Sequence, residues 1–215
     1  LSELQGKEVN IESGEEPGKC IHEYRPDNHE RLTVHHAKPW YVYPDNEMRN
    51  YDTVDATPLY LMTMHAYLRA SGDTLFVESQ MPHILLALHW MEVYGDSNGD
   101  GFIDYRLHPE RSYGGLATQS WMDSAESVFF EEWDGQPQYP IAPVEVQAYS
   151  YVALRAWADY FSTEPVRQQD LNERADALKV KFNREFVLNG GRARGLKLAF
   201  AIDGEGRVLS SARSS

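Results

Sequence analysis

The chain has 215 residues, 42% hydrophobic and 25% charged, the make-up of a globular protein with one sizeable core or two small ones. Its 20 Lys and Arg against 33 Asp and Glu leave a net charge of −13. That balance argues against nucleic acid, whose phosphates need a basic footprint, and against an anionic membrane surface, while a neutral ligand such as a sugar suits it.

Residues 1–50 read as a loop-rich entry segment, with Pro17, Gly18, Pro26, Pro39 and Pro44 among many charges. A helix then begins, with Thr57 as its cap and Pro58 at its first position, where a missing N–H costs nothing. Leu59, Met62, Ala66 and Tyr67 recur at helical spacing, and Gly72 ends the run. Asp73 caps the next segment. Pro82 opens or kinks a helix through Ile84, Leu85, Leu88, Trp90 and Met91, and Gly95 stops it. Residues 96–120 form a long connection rich in Asp, Gly and Asn, and a helix is expected over 124–132. Another follows Pro143, with Val144, Tyr151, Leu154 and Trp157 on its apolar side. Leu171, Ala175, Leu178, Phe182 and Phe186 give the clearest amphipathic pattern, ending at Gly190-Gly191. In the tail, Leu196, Leu198, Phe200 and Ile202 alternate ahead of the turn Asp203-Gly204-Glu205-Gly206, so a β-hairpin is predicted over 194–209. The sequence thus predicts a mainly α fold with helix pairs over 54–190, joined by loops long enough to carry function.

The single cysteine, Cys20, cannot form an internal disulfide, which points to a reducing, cytoplasmic compartment. No apolar run reaches the length of a membrane span, so no membrane partner is expected. The ends, Leu1-Ser2-Glu3-Leu4 and Arg213-Ser214-Ser215, carry no signal-peptide pattern and read as cut from a longer chain.

Four stretches carry chemistry. In Gly114-Gly115-Leu116-Ala117-Thr118-Gln119-Ser120-Trp121-Met122-Asp123-Ser124, an Asp follows an indole at a helix start. A carboxyl partly desolvated by Trp121 would hold a proton near neutral pH and act as a general acid. The same Asp123 also reads as a plain helix cap. In Pro140–Tyr149, Glu145 sits between Val144 and Val146, shares a face with Tyr149, and has Gln147 nearby. It suits either sugar hydroxyls or the positive end of a helix. In Glu16–Arg25, the side chains of His22, Glu23 and Arg25 suit ligand contacts or a solvated loop with local ion pairs. The run Asp96–Tyr105 places oxygens at loop positions 1, 3, 5 and 9 through Asp96, Asn98, Asp100 and Asp104, with Gly101 at position 6. Leu107 occupies position 12, where a calcium loop needs a bidentate Glu. A structural Ca²⁺ completed by a distant carboxylate and a metal-free turn both fit.

Five short motifs in order, Pro17–Arg25, Thr53–Leu59, Asn98–Tyr105, Trp121–Ser124 and Pro140–Gln147, resemble those of amylo-alpha-1,6-glucosidase or glycogen-debranching-enzyme-like glycoside hydrolases. Cys20, Tyr24, Met122 and Glu126 depart from the usual residues of that pattern. The resemblance implies a six-hairpin (α/α)6 toroid, of which residues 1–215 would form part of one catalytic domain. It implies an inverting glycosidase with Asp123 as general acid, and Asp55, Gln119, Trp121, Glu145 and Gln147 around the sugar. His22, Glu23 and Arg25 would line the cleft, and no cofactor would be required. Inversion also needs a carboxylate base roughly 6.5–9.5 Å from the acid. The family places that base beyond residue 215, so this piece alone is expected to be inactive. The substrate would be an oligosaccharide, or a small glycoside such as a trehalose-like sugar or a mannosyl- or glucosylglycerate. A non-catalytic carbohydrate-binding helical domain is the remaining reading.

Overall fold

A computed structural model describes residues 1–121, 137–188 and 197–210. The helix expected over 124–132, and Asp123 with it, lie outside the described residues. The chain is mainly helical, as predicted. Ahead of the long helices come a short strand β1 (Glu23–Arg25), one helical turn α1 (Glu30–Thr33) and β2 (Met48–Asn50), which pairs antiparallel with β1. The long elements follow: α2 (Ala56–Ser71), α3 (Thr74–Ser79), α4 (Met81–Val93), α5 (Val144–Tyr160) and α6 (Pro165–Glu185).

The helix boundaries show what local chemistry decides. Gly72 ends α2 in the left-handed conformation at φ 70°, which a residue with a Cβ adopts only with strain. Asp73 caps α3 through a bond from the Phe76 N–H, and Pro82 sits inside the first turn of α4, where N–H groups have no helical partner. The start of α2 differs from expectation. Its N-cap is Asp55, not Thr57, and Pro58 is the third helical residue. The Thr57 hydroxyl is turned away from its own helix and accepts from the buried Cys20 N–H at 2.9 Å. Tertiary packing of the 17–25 loop therefore overrides the capping preference read from the sequence.

Helix α5 is the centre of the core. It packs against α2 on one side and α6 on the other, and α2 also packs on α4. A four-residue turn, Phe161–Glu164, joins α5 to α6 as a helix hairpin, the repeating unit expected of a toroid. Leu61, Ile84, Trp90, Val146, Leu154, Trp157, Leu171 and Ala175 are buried together along this seam. Trp157 has no exposed surface, and its indole N–H donates to the Leu61 carbonyl of α2 at 3.1 Å, so the largest core side chain leaves no unsatisfied donor.

A second, smaller core joins Phe102, Ala142, Phe186, Ala199 and Ile202. It lies under a three-stranded sheet in the order β3 (Ala142–Pro143), β6 (Ala201–Ile202) and β7 (Val208–Leu209), all antiparallel. The hairpin read in the tail is therefore present as β6 and β7. Its early part is used differently: β5 (Lys197–Leu198) pairs with β4 (Val187–Leu188) at the end of α6. Strand β3 leads directly into α5, so this sheet fixes the entry angle of the helix that carries Glu145.

Two loops are pinned onto this frame. The N-terminal segment runs against α4, where Gln5 donates to the Gly18 and His83 carbonyls at 2.8 and 3.0 Å. Gly18 has φ 88°, and any Cβ there would strike the Leu86 carbonyl. The 111–121 loop is held by a buried ion pair: Arg111 Nη1 donates to Asp52 Oδ1 at 2.6 Å, and Nη2 to the Gly114 carbonyl at 2.6 Å. Asp52 Oδ2 takes the Leu116 N–H at 3.0 Å. Gly115 lies so close to both partners that no side chain fits.

Candidate active site

The N-termini of α2 and α5 meet at one end of the core. Asp55 is the N-cap of α2, and Glu145 lies in the first turn of α5, so both carboxyls stand at positive helix ends. Asp55 is 8% exposed and accepts a short bond from the Thr53 hydroxyl. Glu145 is pushed above the usual carboxylate range, chiefly by burial and further by the negative charge of Asp55; the Ser120 hydroxyl works against this. Glu145 Oε1 is buried and has no hydrogen-bond partner among the described residues. Tyr149, one turn along α5, is raised by burial and by the charges of Glu145 and Asp55, which places it in the same group.

The 118–121 segment closes the site from above. Val54 donates its N–H to the Gln119 carbonyl at 2.9 Å, which ties the segment to the start of α2. Ser120 is buried beside Glu145, while Trp121 is 65% exposed. The Tyr139 hydroxyl donates to the Ala117 carbonyl at 2.6 Å, and the Tyr105 and Tyr139 rings stand edge to face at 6.2 Å. The result is a carboxyl pair with no cation beside it among the described residues, walled by Ser120, Tyr149 and aromatic rings. A buried carboxyl with an unused acceptor and no counter-ion is suited to neutral donors, such as hydroxyl groups, more than to an anion.

The other residues read from the sequence fall elsewhere. Gln147 is two residues from Glu145 and so on another face of α5. Its amide is spent on backbone: Oε1 takes the Ile103 N–H at 3.0 Å, and Nε2 donates to the Ile103 and Pro143 carbonyls at 2.7 and 3.0 Å. Gln119 is buried and donates to the Arg106 and Leu116 carbonyls. Glu23 and Arg25 pair with each other through a short contact on β1, and His22 beside them is exposed, its N–H held by the Asn50 carbonyl at 2.9 Å.

Asp96, Asn98, Asp100 and Asp104 share one loop that closes on its own backbone. Asp96 accepts the N–H groups of Gly99, Asp100 and Gly101 at 2.7–3.0 Å. Asp100 accepts the Phe102 N–H at 2.9 Å and the Lys181 ammonium at 3.2 Å. Among the described residues no group of three or more His, Cys, Asp or Glu is arranged to hold a metal ion. Asp104 differs from the rest. It is buried at 5% exposure, and desolvation raises its pKa to about 7.

The sequence reading had no access to the Asp52–Arg111 pair. Its members are 59 positions apart, in segments without periodicity, and no local signal joins them.

A family model described as amylo-alpha-1,6-glucosidase matches residues 40–205. The chain belongs to the amylo-alpha-1,6-glucosidase family. The match spans β2 through β6, and so includes both carboxyls of the candidate site and the 118–121 segment beside them. Comparison with curated proteins returns no match. Membership makes the chain part of a glycoside hydrolase family with a carbohydrate substrate, and the helix hairpins agree with a partial helical toroid. No helix among the described residues is long and apolar enough to cross a membrane.

Proposed function

We propose that the protein hydrolyses an α-glucosidic linkage by inversion, with the α-1,6 branch as its reference substrate and Asp123 protonating the leaving oxygen. The observation that carries this reading is the buried Asp55–Glu145 pair beside Ser120, three residues ahead of Asp123, inside the span of the family match. Glu145 Oε1 lacks a partner among the described residues. A sugar hydroxyl donating to it would replace the missing bond, and a ligand lacking that hydroxyl would be rejected. In this reading Glu145 and Asp55 hold the ring, and Trp121 offers its exposed face to a sugar. His22, Glu23 and Arg25 contact units further along the chain.

Asp123→Asn in the intact protein tests the assignment. The expected result is a fall in kcat of about 10³-fold or more with an unchanged circular dichroism spectrum. In the wild type, NMR of the newly released sugar should show the β anomer before mutarotation. A near-normal kcat in the variant, or the α anomer as initial product, would sink the mechanism.

A further inference from the structure

Behind the segment that carries Ser120 and Trp121 lies a cavity of about 250 Å³, lined among others by Lys19, Trp90, Ser97, Asp104, Arg106 and Gln119. A second cavity of about 270 Å³ adjoins it across Glu16, Lys19, Arg106 and Gln119. Either is several times the roughly 30 Å³ that one water occupies in the liquid. Four polar groups on the wall of the first cavity have capacity to spare. Asp104 Oδ2 takes the Ser97 N–H at 3.1 Å, but its buried Oδ1 has no hydrogen bond. The Ser97 hydroxyl is near enough to favour the charged form of Asp104, yet outside hydrogen-bond geometry, and is unpartnered too. The Arg106 side chain is exposed and makes no ion pair or hydrogen bond among the described residues. Gln119 spends its N–H groups on carbonyls and keeps Oε1.

The mixture of charges selects the ligand. A metal ion would face Arg106 and Lys19, and Asp96 has already given its oxygens to backbone N–H groups. An anion would face Asp104 and Glu16. A neutral polyhydroxylated molecule meets both demands, because a hydroxyl donates to a carboxyl and accepts from a guanidinium. Val93 and Tyr94 supply the apolar part of the wall that a sugar ring needs. We infer that this cavity is a second saccharide subsite, taking one neutral sugar unit. It uses neither Asp123 nor Glu145, so it stands apart from the proposed hydrolysis.

The test is calorimetric titration of the intact protein with glucose and maltose, carried out on Glu145→Gln to weaken the front site. Binding is expected to persist there and to weaken at least about 10-fold on adding Arg106→Ala, with Tm unchanged because Arg106 is exposed. Asp104→Asn should weaken binding in the same way. Absence of sugar binding in Glu145→Gln, or equal affinity with and without Arg106, would overturn the inference. So would a Tm that Ca²⁺ raises in the wild type and not in Asp104→Asn, since a cation would then be the occupant. Hydrolysis by the wild type decides the front site separately.

Discussion

Two acidic regions of this molecule have similar composition and opposite fates. In the 96–104 loop, Asp96 and Asp100 give their oxygens to the loop's own N–H groups, and Lys181 adds a cation. At the α2–α5 junction, no cation among the described residues joins Asp55 and Glu145, and among them one buried Glu145 oxygen is left unmatched. Acidic residues that satisfy backbone N–H groups stabilise a turn. Acidic residues kept near one another and unsatisfied cost stability, and such groups persist where a ligand is to complete them. Where each carboxyl oxygen finds its donor, not the number of carboxyls, separates Asp96 and Asp100 from the candidate site.

The contrast can be broken at several points. The largest stability effect is expected just behind the site, where Asp52→Ala leaves the buried Arg111 guanidinium unpaired and frees the 111–121 loop. A loss of about 3–5 kcal/mol in chemical denaturation is expected. A loss under about 1 kcal/mol would show that the pair does not hold the loop. Asp96→Ala removes the acceptor of three N–H groups, and a loss of about 1–3 kcal/mol should follow, with kcat retained. Asp73→Ala, an ordinary cap on the exposed α3, should cost about 1 kcal/mol and serves as a control for local effects.

The smallest stability effect separates the two regions by its sign. Glu145 has a folded pKa above the ordinary carboxylate value of 4.5. Above pH 4.5 the unfolded chain releases this proton before the folded one does, so stability falls as pH rises from there until the folded group also ionises. Glu145→Gln should remove that decline, and its Tm should match or exceed the wild type at pH 7. Near pH 4 the advantage should vanish. A variant less stable than wild type at pH 7 would mean that the carboxylate makes stabilising bonds, contrary to its unpartnered oxygen.

Much of the frame was legible in the sequence. Gly72, Asp73 and the apolar spacings of α4, α5 and α6 act locally, over three or four residues, and periodicity reports them directly. Glu145 stood out because an acidic residue between two valines at a helix start is a local anomaly. What escaped depended on distant partners. Thr57 was turned from a cap into an acceptor for Cys20, 37 positions away, and Gln147 was drawn inward by Ile103, 44 positions away. The pairing of Lys197–Leu198 with Val187–Leu188 likewise depends on how the end of α6 meets the tail. Gln119 and Ser120 are adjacent in the chain and bond to different partners, the Arg106 and Leu116 carbonyls and the Glu145 carboxyl, a division no spacing rule anticipates.

The α2–α5 carboxyl pair is thus assigned to function, and Asp96 and Asp100 of the 96–104 loop to structure. The most direct test of this assignment compares kcat/KM on an α-1,6-linked glucoside for Glu145→Gln and Asp96→Asn in the intact protein, with Tm measured alongside. The account predicts a fall of about 10²-fold or more at unchanged or higher Tm for Glu145→Gln, and near-wild-type activity with a lowered Tm for Asp96→Asn. The reverse pattern, with activity lost at Asp96 and kept at Glu145, would contradict it.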